Sequence, residues 1–380
     1  MKTTLTSSLR ANLNVNIAKD EYGKDLIINI STLKNLFISG VAGSGKSTIL
    51  HNILSTLIVS NGPAVLKFIL IDPKRIELSV YAKVPHLLTP PIYDPKKEIL
   101  ALKWSGKEID RRLGVLMSNN CQDVNAYHRD ILEPAIEKFR KHTETDREDH
   151  HATSTLPESM PLMVIVIDDL SNLMQTYPKE TTAAISKVLE TGHTVGVYSI
   201  ITSTRVSSKI FGKELQSTMS ARIALQMSAS TDSRLVIGNT DACLLHGPGD
   251  MLFRDGMKYI IRGQVNMFTY EEAQSIAKTV YEKYKDEFTD SINFGPPAAG
   301  TSAAFDALNN EYQDDNDELY EPAKEAVITA GKASTSFIQR KLATGYSHAA
   351  KLMDMLEERG VIGSANGSEP RKVLEKDVTA

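Results

Sequence analysis

The chain has 380 residues, 41% of them hydrophobic and 24% charged, with a formal net charge of −4. That length exceeds one ordinary domain and allows a large core, while the balance excludes a disordered chain and any attraction to nucleic acid by bulk charge. Cys121 and Cys243 fit neither a metal motif nor a disulfide framework, no apolar run reaches the length of a membrane span, and "MKTTLTSSLRANLNVN" lacks a signal-peptide core. The expected compartment is therefore the cytoplasm.

In chain order, "LIINISTLKNLFISG" (26–40) reads as two short strands around a turn, the second running into a glycine-rich loop. Ile49, Leu50, Ile53, Leu54, Leu57 and Ile58 then recur at the spacing of one helix face. "AVLKFILID" (64–72) is a buried strand by its aliphatic run, and "EILALKWSGKEIDRRLGVLMSNN" is a charged helix. "MPLMVIVIDDL" (160–170) is a second apolar strand, ending in two carboxylates. A helix through "TTAAISKVLETG", the strand "GVYSIITST" (196–204) and the strand "ARIALQM" (221–227) follow. Apolar strands alternating with helices predict an α/β fold with a parallel sheet covered on both faces.

Two stretches interrupt this order. "KHTETDREDHHATST" (141–155) is polar and aperiodic, a surface loop in which His150 and His151 are solvated rather than metal-binding. "SINFGPPAAGTSAAFDALNNEYQDDNDELYE" (291–321) carries Pro and Gly, then acids without Lys or Arg, which is linker composition. The expected organisation is a nucleotide domain over 1–290, an acidic flexible linker over 291–320 and a small separate unit over 321–380.

Gly40, Gly43, Gly45, Lys46 and Ser47 satisfy G-x-x-x-x-G-K-[ST] between a strand and a helix. Gly40, Val41, Ala42, Gly43, Ser44, Gly45, Lys46, Ser47 and Thr48 are thus expected to wrap nucleotide phosphates. Lys46 can neutralise the β- and γ-phosphates, and Ser47 can hold Mg2+. The second half of such a site needs an acid at the end of a buried strand. Asp168 fills that place for the metal, and Asp169 can orient the attacking water or serve as a loop or capping carboxylate. The two motifs point to an ATP or GTP hydrolase and leave open a kinase, a switch or a motor.

The stretch "FILIDPKRIELSVYAKVPHLLTPPIYDPKKEILALKWSGKEIDRR" resembles the FtsK/SpoIIIE family of ring-forming double-stranded DNA translocases. The resemblance rests on Asp72, Pro73, Lys74, Glu77, Leu78, Ser79, Tyr81, Pro85, His86, Leu87 and Leu88, then Trp104, Arg111 and Arg112, with "DSR" at 232–234 and "GPGDML" at 247–252. It implies a RecA-like P-loop NTPase domain in a homo-hexameric ring, with ATP and Mg2+ between subunits and double-stranded DNA in the channel. Three positions depart from the family. Asp169 stands where Glu is usual, Thr204 where Gln is common, and His193 where an Arg is offered to the neighbour's ATP. A largely neutral His is a poor guanidinium clamp, so Arg205, Arg222 and Arg234 are the other inter-subunit candidates.

After the linker, Phe337, Ile338, Leu342, Ala349, Leu352, Met353 and Leu356 recur at helical spacing as a small three-helix core, with Gly345 in a turn and a β-hairpin-like end. A helical protein-interaction domain has the same composition, but this segment resembles the family's γ winged-helix domain, a reader of short directional DNA sequences. By that resemblance Ser347, Lys351 and Asp354 occupy the base-reading places, where shorter or non-bidentate side chains imply a different sequence preference. Arg340, Lys341, Lys351, Arg371 and Lys372 are the candidate phosphate contacts. The expected function is ATP-dependent double-stranded DNA translocation, with a winged helix for loading or direction and a site-specific recombinase as a possible partner. The alternatives are a DNA transfer or packaging ATPase of a plasmid or phage, and a weakly hydrolysing DNA-binding ATPase that does not translocate. The compact layout, without a membrane segment, is the one expected of a plasmid or phage version.

Overall fold

A computed structural model describes residues 10–145, 156–256, 259–285, 320–342, 352–353, 356–357, 360–363 and 371–374. The chain divides into two units, Met1–Pro296 and Pro297–Ala380. The expected linker lies outside the described residues, apart from Tyr320, which opens a helix of the second unit.

The first unit is built on a mixed sheet of nine strands among the described residues: β1 Asn14–Asp20, β2 Asp25–Asn29, β3 Asn35–Ser39, β4 Leu66–Ile71, β5 Leu162–Ile167, β6 Val197–Ser203, β7 Ala221–Leu225, β8 Asp250–Asp255 and β9 Ile261–Val265. Their order is β2-β1-β9-β8-β7-β3-β6-β5-β4. From β7 to β4 every pairing is parallel, and from β7 to β2 every pairing is antiparallel. β3, β4, β5 and β6 are buried at every residue, as strands covered on both faces must be. The fully parallel sheet expected from sequence is therefore the right half of a larger mixed one. Its antiparallel half includes β1, which precedes the first element expected from the sequence.

The helices are α1 Ile30–Leu33, α2 Lys46–Ser60, α3 Pro95–Ser118, α4 Val124–Tyr127, α5 Glu133–Thr145, α6 Leu170–Thr176, α7 Pro178–Thr191, α8 Lys213–Thr218, α9 Ser230–Val236 and α10 Tyr270–Tyr284. The crossover from β3 to β4 runs one way along the sheet, while those from β4 to β5, β5 to β6 and β6 to β7 run the other way. Right-handed connections therefore put α2 on one face and the α3–α8 group on the opposite one. α10 packs on α2, and α3 packs on α7, as this division requires. Asp94 caps α3 by accepting from the amides of Lys96 and Lys97, with Pro95 at its first position. The polar stretch expected to be a loop from residue 141 is helical as far as Thr145, at the end of α5; His150 and His151 lie outside the described residues.

In the second unit, α11 Tyr320–Ala330, β10 Lys332–Ala333, α12 Thr335–Leu342 and β11 Arg371–Lys372 surround a core that includes Tyr320, Val327, Ile338, Leu352, Met353, Leu356 and Val361. Phe337 and Leu342 pack against it half-buried, and Ala349 lies outside the described residues. Ile362 bridges Val373 antiparallel, as the two arms of the expected hairpin-like end would, and β10 adds to β11 antiparallel.

Candidate nucleotide site

Parallel strands all end on one sheet edge, so the loops after β3, β4, β5 and β6 converge there. The loop after β3 turns through Gly43 at φ +77° and Gly45 at φ +109°, conformations open to glycine at little cost. A Cβ at Gly43 would meet nothing within 4 Å, so the crown of the loop is open, whereas one at Gly45 would lie 2.9 Å from the Gly249 amide nitrogen. That amide donates to the Ser44 carbonyl at 2.8 Å, and the Val41 amide donates to Gln226, just beyond β7. The cradle is thus pinned by backbone from both halves of the sheet. The first intrahelical bond of α2 runs from Ile49 to Gly45, so the four amides before it have no carbonyl one turn back. Ser44 Oγ is buried without a hydrogen-bond partner among the described residues. Open crown, unpaired helix amides and an orphaned hydroxyl fit a phosphate chain.

Lys46 Nζ donates to the carbonyls of Gly40 (2.7 Å) and Val41 (2.9 Å), and Ser47 Oγ donates to Glu77 Oε1 at 2.6 Å. Burial lowers the Lys46 ammonium, with Asp169 and Asp168 acting against that. Asp168, at the end of β5, is buried, which raises its carboxyl; Thr202 on β6 donates to it at 2.7 Å and opposes the rise.

Asp169 sits at φ +67°, a left-handed conformation that costs a non-glycine residue roughly 1–3 kcal/mol and recurs at functional sites. Its carboxylate is held from several sides. Lys74 Nζ lies 2.5 Å from Oδ2, the Thr204 hydroxyl donates to Oδ2 at 3.1 Å, the Thr204 amide reaches Oδ1 at 3.2 Å, and Ser171 also donates to Oδ1. Burial pushes this group up, but Lys74, Ser171 and Thr204 outweigh it and leave it below the ordinary carboxylate value. Lys74 and Glu77 belong to one loop, anchored by the fully buried Asp72, whose carboxylate accepts from the amides of Lys74 and Leu78. The sequence block that carries the family resemblance is therefore the wall of the site, a role its residue types alone did not indicate. The signal available was charged residues immediately after a wholly buried strand.

Lys46, Ser47, Asp168 and Asp169 come together as the motifs require. The inter-subunit candidates separate. His193, in the turn before β6, is at the opposite edge of the sheet, in a polar recess with Ser31, Thr32, Gln122 and Asn125; burial lowers its pKa, helped by Lys34. Arg222 is a correction. Its guanidinium donates to the carbonyls of Met219, Leu235, Val236 and Gln216 and lies over the Phe211 ring, so it ties β7 to its surroundings and is not free to reach a neighbour. Arg205 and Arg234 are exposed, on the loop after β6 and on α9. The Arg111–Arg112 pair is structural too: Arg111 binds Glu108 and Glu158, and Arg112 binds Glu108 and the carbonyls of Pro161 and Val195.

In the second unit, Arg340 and Lys341 lie on α12, with Lys341 exposed. Lys372 is exposed on β11, and Arg371 beside it is half-buried and pairs with Glu357 at 2.5 Å. Ser347, Lys351 and Asp354 lie outside the described residues.

Comparison with known proteins agrees with this geometry. The model of the FtsK/SpoIIIE family matches residues 2–208, more than half of the chain, and that of the FtsK gamma domain, a winged helix, matches 314–376. A DNA translocase FtsK of Clostridium tetani is 33% identical, covering 98% of this chain and 47% of its own length. The chain spans about half the length of the curated relatives it matches. Among solved structures, the cytoplasmic domain of the Thermomonospora curvata type VII secretion ATPase EccC superposes with a TM-score of 0.60 at 21% identity, over 77% of this chain and 33% of that one. The pCW3 conjugation coupling protein TcpA, with ATPγS, gives 0.57 at 20% identity, over 71% and 72%. Both show the fold alone. Among the described residues, no helix is long and apolar enough to cross a membrane. With both of its units matched, the chain belongs to the FtsK/SpoIIIE family and has the P-loop ATPase fold.

Proposed function

We propose that the chain is the motor and DNA-reading part of an ATP-driven double-stranded DNA translocase that works as a homo-hexameric ring. The observation that carries this reading is the union, in one chain, of an FtsK/SpoIIIE unit and an FtsK gamma unit. ATP is the substrate and Mg2+ the cofactor. The loop and helix amides bind the phosphates, and Lys46 exchanges the Gly40 and Val41 carbonyls for phosphate oxygens. Ser47 and Asp168 are the residues to hold Mg2+, which supplies charge neutralisation at those oxygens. Asp169 orients the attacking water, kept ionised by Lys74 and aimed by Thr204. Arg205 and Arg234, exposed at the loop edge, are the proposed groups offered to a neighbouring subunit. In the second unit Arg340, Lys341, Lys351, Arg371 and Lys372 contact phosphates, Ser347, Lys351 and Asp354 read bases, and a site-specific recombinase is a proposed protein partner.

The test is triplex displacement on long linear DNA, beside ATP hydrolysis. Wild type is expected to displace the triplex, and Lys46→Ala to lose displacement, with kcat for ATP down about 10²–10³-fold. A second reading, a weakly hydrolysing DNA-binding ATPase, is favoured by the tight Lys74–Asp169 pair, which competes with water for the carboxylate. DNA-stimulated hydrolysis without displacement would select it.

A further inference from the structure

Glu77 stands where two donors converge. Ser47 Oγ reaches its Oε1 at 2.6 Å, and His51 Nε2 lies 3.3 Å from its Oε2. An ionised carboxylate only accepts, so His51 Nε2 is the donor to Glu77. The Tyr81 hydroxyl lies 3.1 Å from His51 Nδ1 and 3.1 Å from Ser55 Oγ. Ser55, Tyr81 and His51 are all buried and form one hydrogen-bonded chain that ends at Glu77. Glu77 is therefore fixed by side chains of α2 itself, the helix whose first turn carries Ser47, and by the turn that follows its own loop.

A serine hydroxyl has one hydrogen and two lone pairs. With the hydrogen committed to Glu77, both lone pairs stay available to a cation, and the anionic acceptor increases electron density on the oxygen. We propose that Glu77 is a positioning residue that sets the affinity of the nucleotide site for Mg2+ by orienting Ser47, with His51 and Tyr81 holding Glu77 in place. The inference rests on the ATP-binding reading above and specifies how that site takes its cation. Nothing in it needs Glu77 to touch the metal.

The experiment is equilibrium binding of a fluorescent ATP analogue to the full chain, with Mg2+ titrated in from EDTA. Glu77→Gln is expected to need about 10–100-fold more Mg2+ for half-maximal tightening, the usual cost of losing a partner that orients a metal ligand. Its binding in EDTA should change by less than its binding with Mg2+. Added to Ser47→Ala, Glu77→Gln should bring no further shift, because it acts through that serine. If Glu77→Gln melts early, Glu77→Asp carries the test, keeping the charge but shortening the reach, with a shift in the same direction. An unchanged Mg2+ requirement, or equal losses with and without Mg2+, would overturn the proposal. Failure of the wild type to bind the analogue in either condition would instead overturn the nucleotide reading, and this inference with it.

Discussion

The two halves of the sheet contribute to the site in different currencies. Lys46 and Ser47 follow β3, Lys74 and Glu77 follow β4, Asp168 and Asp169 follow β5, and Thr204 follows β6, all strands of the parallel half. The antiparallel half supplies backbone: the Gly249 amide, just before β8, holds Ser44, and the Val265 amide, at the end of β9, holds Gly249 at 2.8 Å. Direction explains the difference. Parallel strands deliver every C-terminal loop to one edge, while antiparallel neighbours alternate, so a second sheet half reaches that edge with few loops and serves as a brace. Chemistry and support should therefore be separable by substitution.

The largest effect belongs to the parallel half. Asp169→Asn keeps the shape but removes the charge proposed to align water, and kcat for ATP should fall about 10²–10⁴-fold with nucleotide affinity little changed. Phosphate release and analogue binding, measured on the same preparation, check this. A rate within a few-fold of wild type, on the order of the scatter between preparations, would return Asp169 to the role of a loop carboxylate held by Lys74.

A second effect in the parallel half concerns stability and pH. Glu98 on α3 is fully buried, neither carboxylate oxygen has a hydrogen-bond partner among the described residues, and burial pushes its pKa from 4.5 up to about 8. For an acid raised on folding, the native state keeps a proton that the unfolded chain has released. Stability therefore falls as pH rises from about 4.5 to about 8 and is flat in this respect above it. Glu98→Gln removes the titration, so its urea midpoint relative to wild type should climb across that window, reaching a gain of a few kcal/mol, roughly. Parallel curves for the two proteins would place a counter-charge or water beside Glu98.

How legible this was follows the same division. β4, β5 and β6 were readable because strands buried at every residue leave unbroken aliphatic runs. β9 buries only Gly263 and Val265, and β1 buries Val15, Ile17 and Ala18 out of alternation at a register shift, so neither carries a clean period. The phosphate loop and the aspartate pair were each legible as a contiguous motif. The reach of Lys74 to Asp169 and of Glu77 to Ser47 was not, since each spans elements that only the folded sheet brings together. Arg222 was misread for a related reason: the sequence shows a cation, and the carbonyls that engage it come from two separate segments, the end of α8 and α9.

The smallest expected effect tests the junction of the halves. Gly249 has φ +83°, and a Cβ there would lie 2.7 Å from Gln264 Nε2 and 3.3 Å from Val265 Cβ. The glutamine is a flexible neighbour and can move, so Gly249→Ala should cost mainly the left-handed conformation, about 1–2 kcal/mol. For a domain of this size that lowers Tm by roughly 2–8 °C. The substitution leaves every charged group of the site in place, so the kcat of nucleotide-saturated enzyme should hold while analogue binding weakens through a looser cradle. Gly45→Ala, on the other side of the same contact, sets its Cβ against backbone that cannot rotate away and should lose binding as well as stability. Equal behaviour of the two variants would mean that the antiparallel half does more than brace, because a support that yields a few tenths of an ångström, on the order of a tolerated packing adjustment, should not be felt at the phosphates as strongly as a change in the cradle itself.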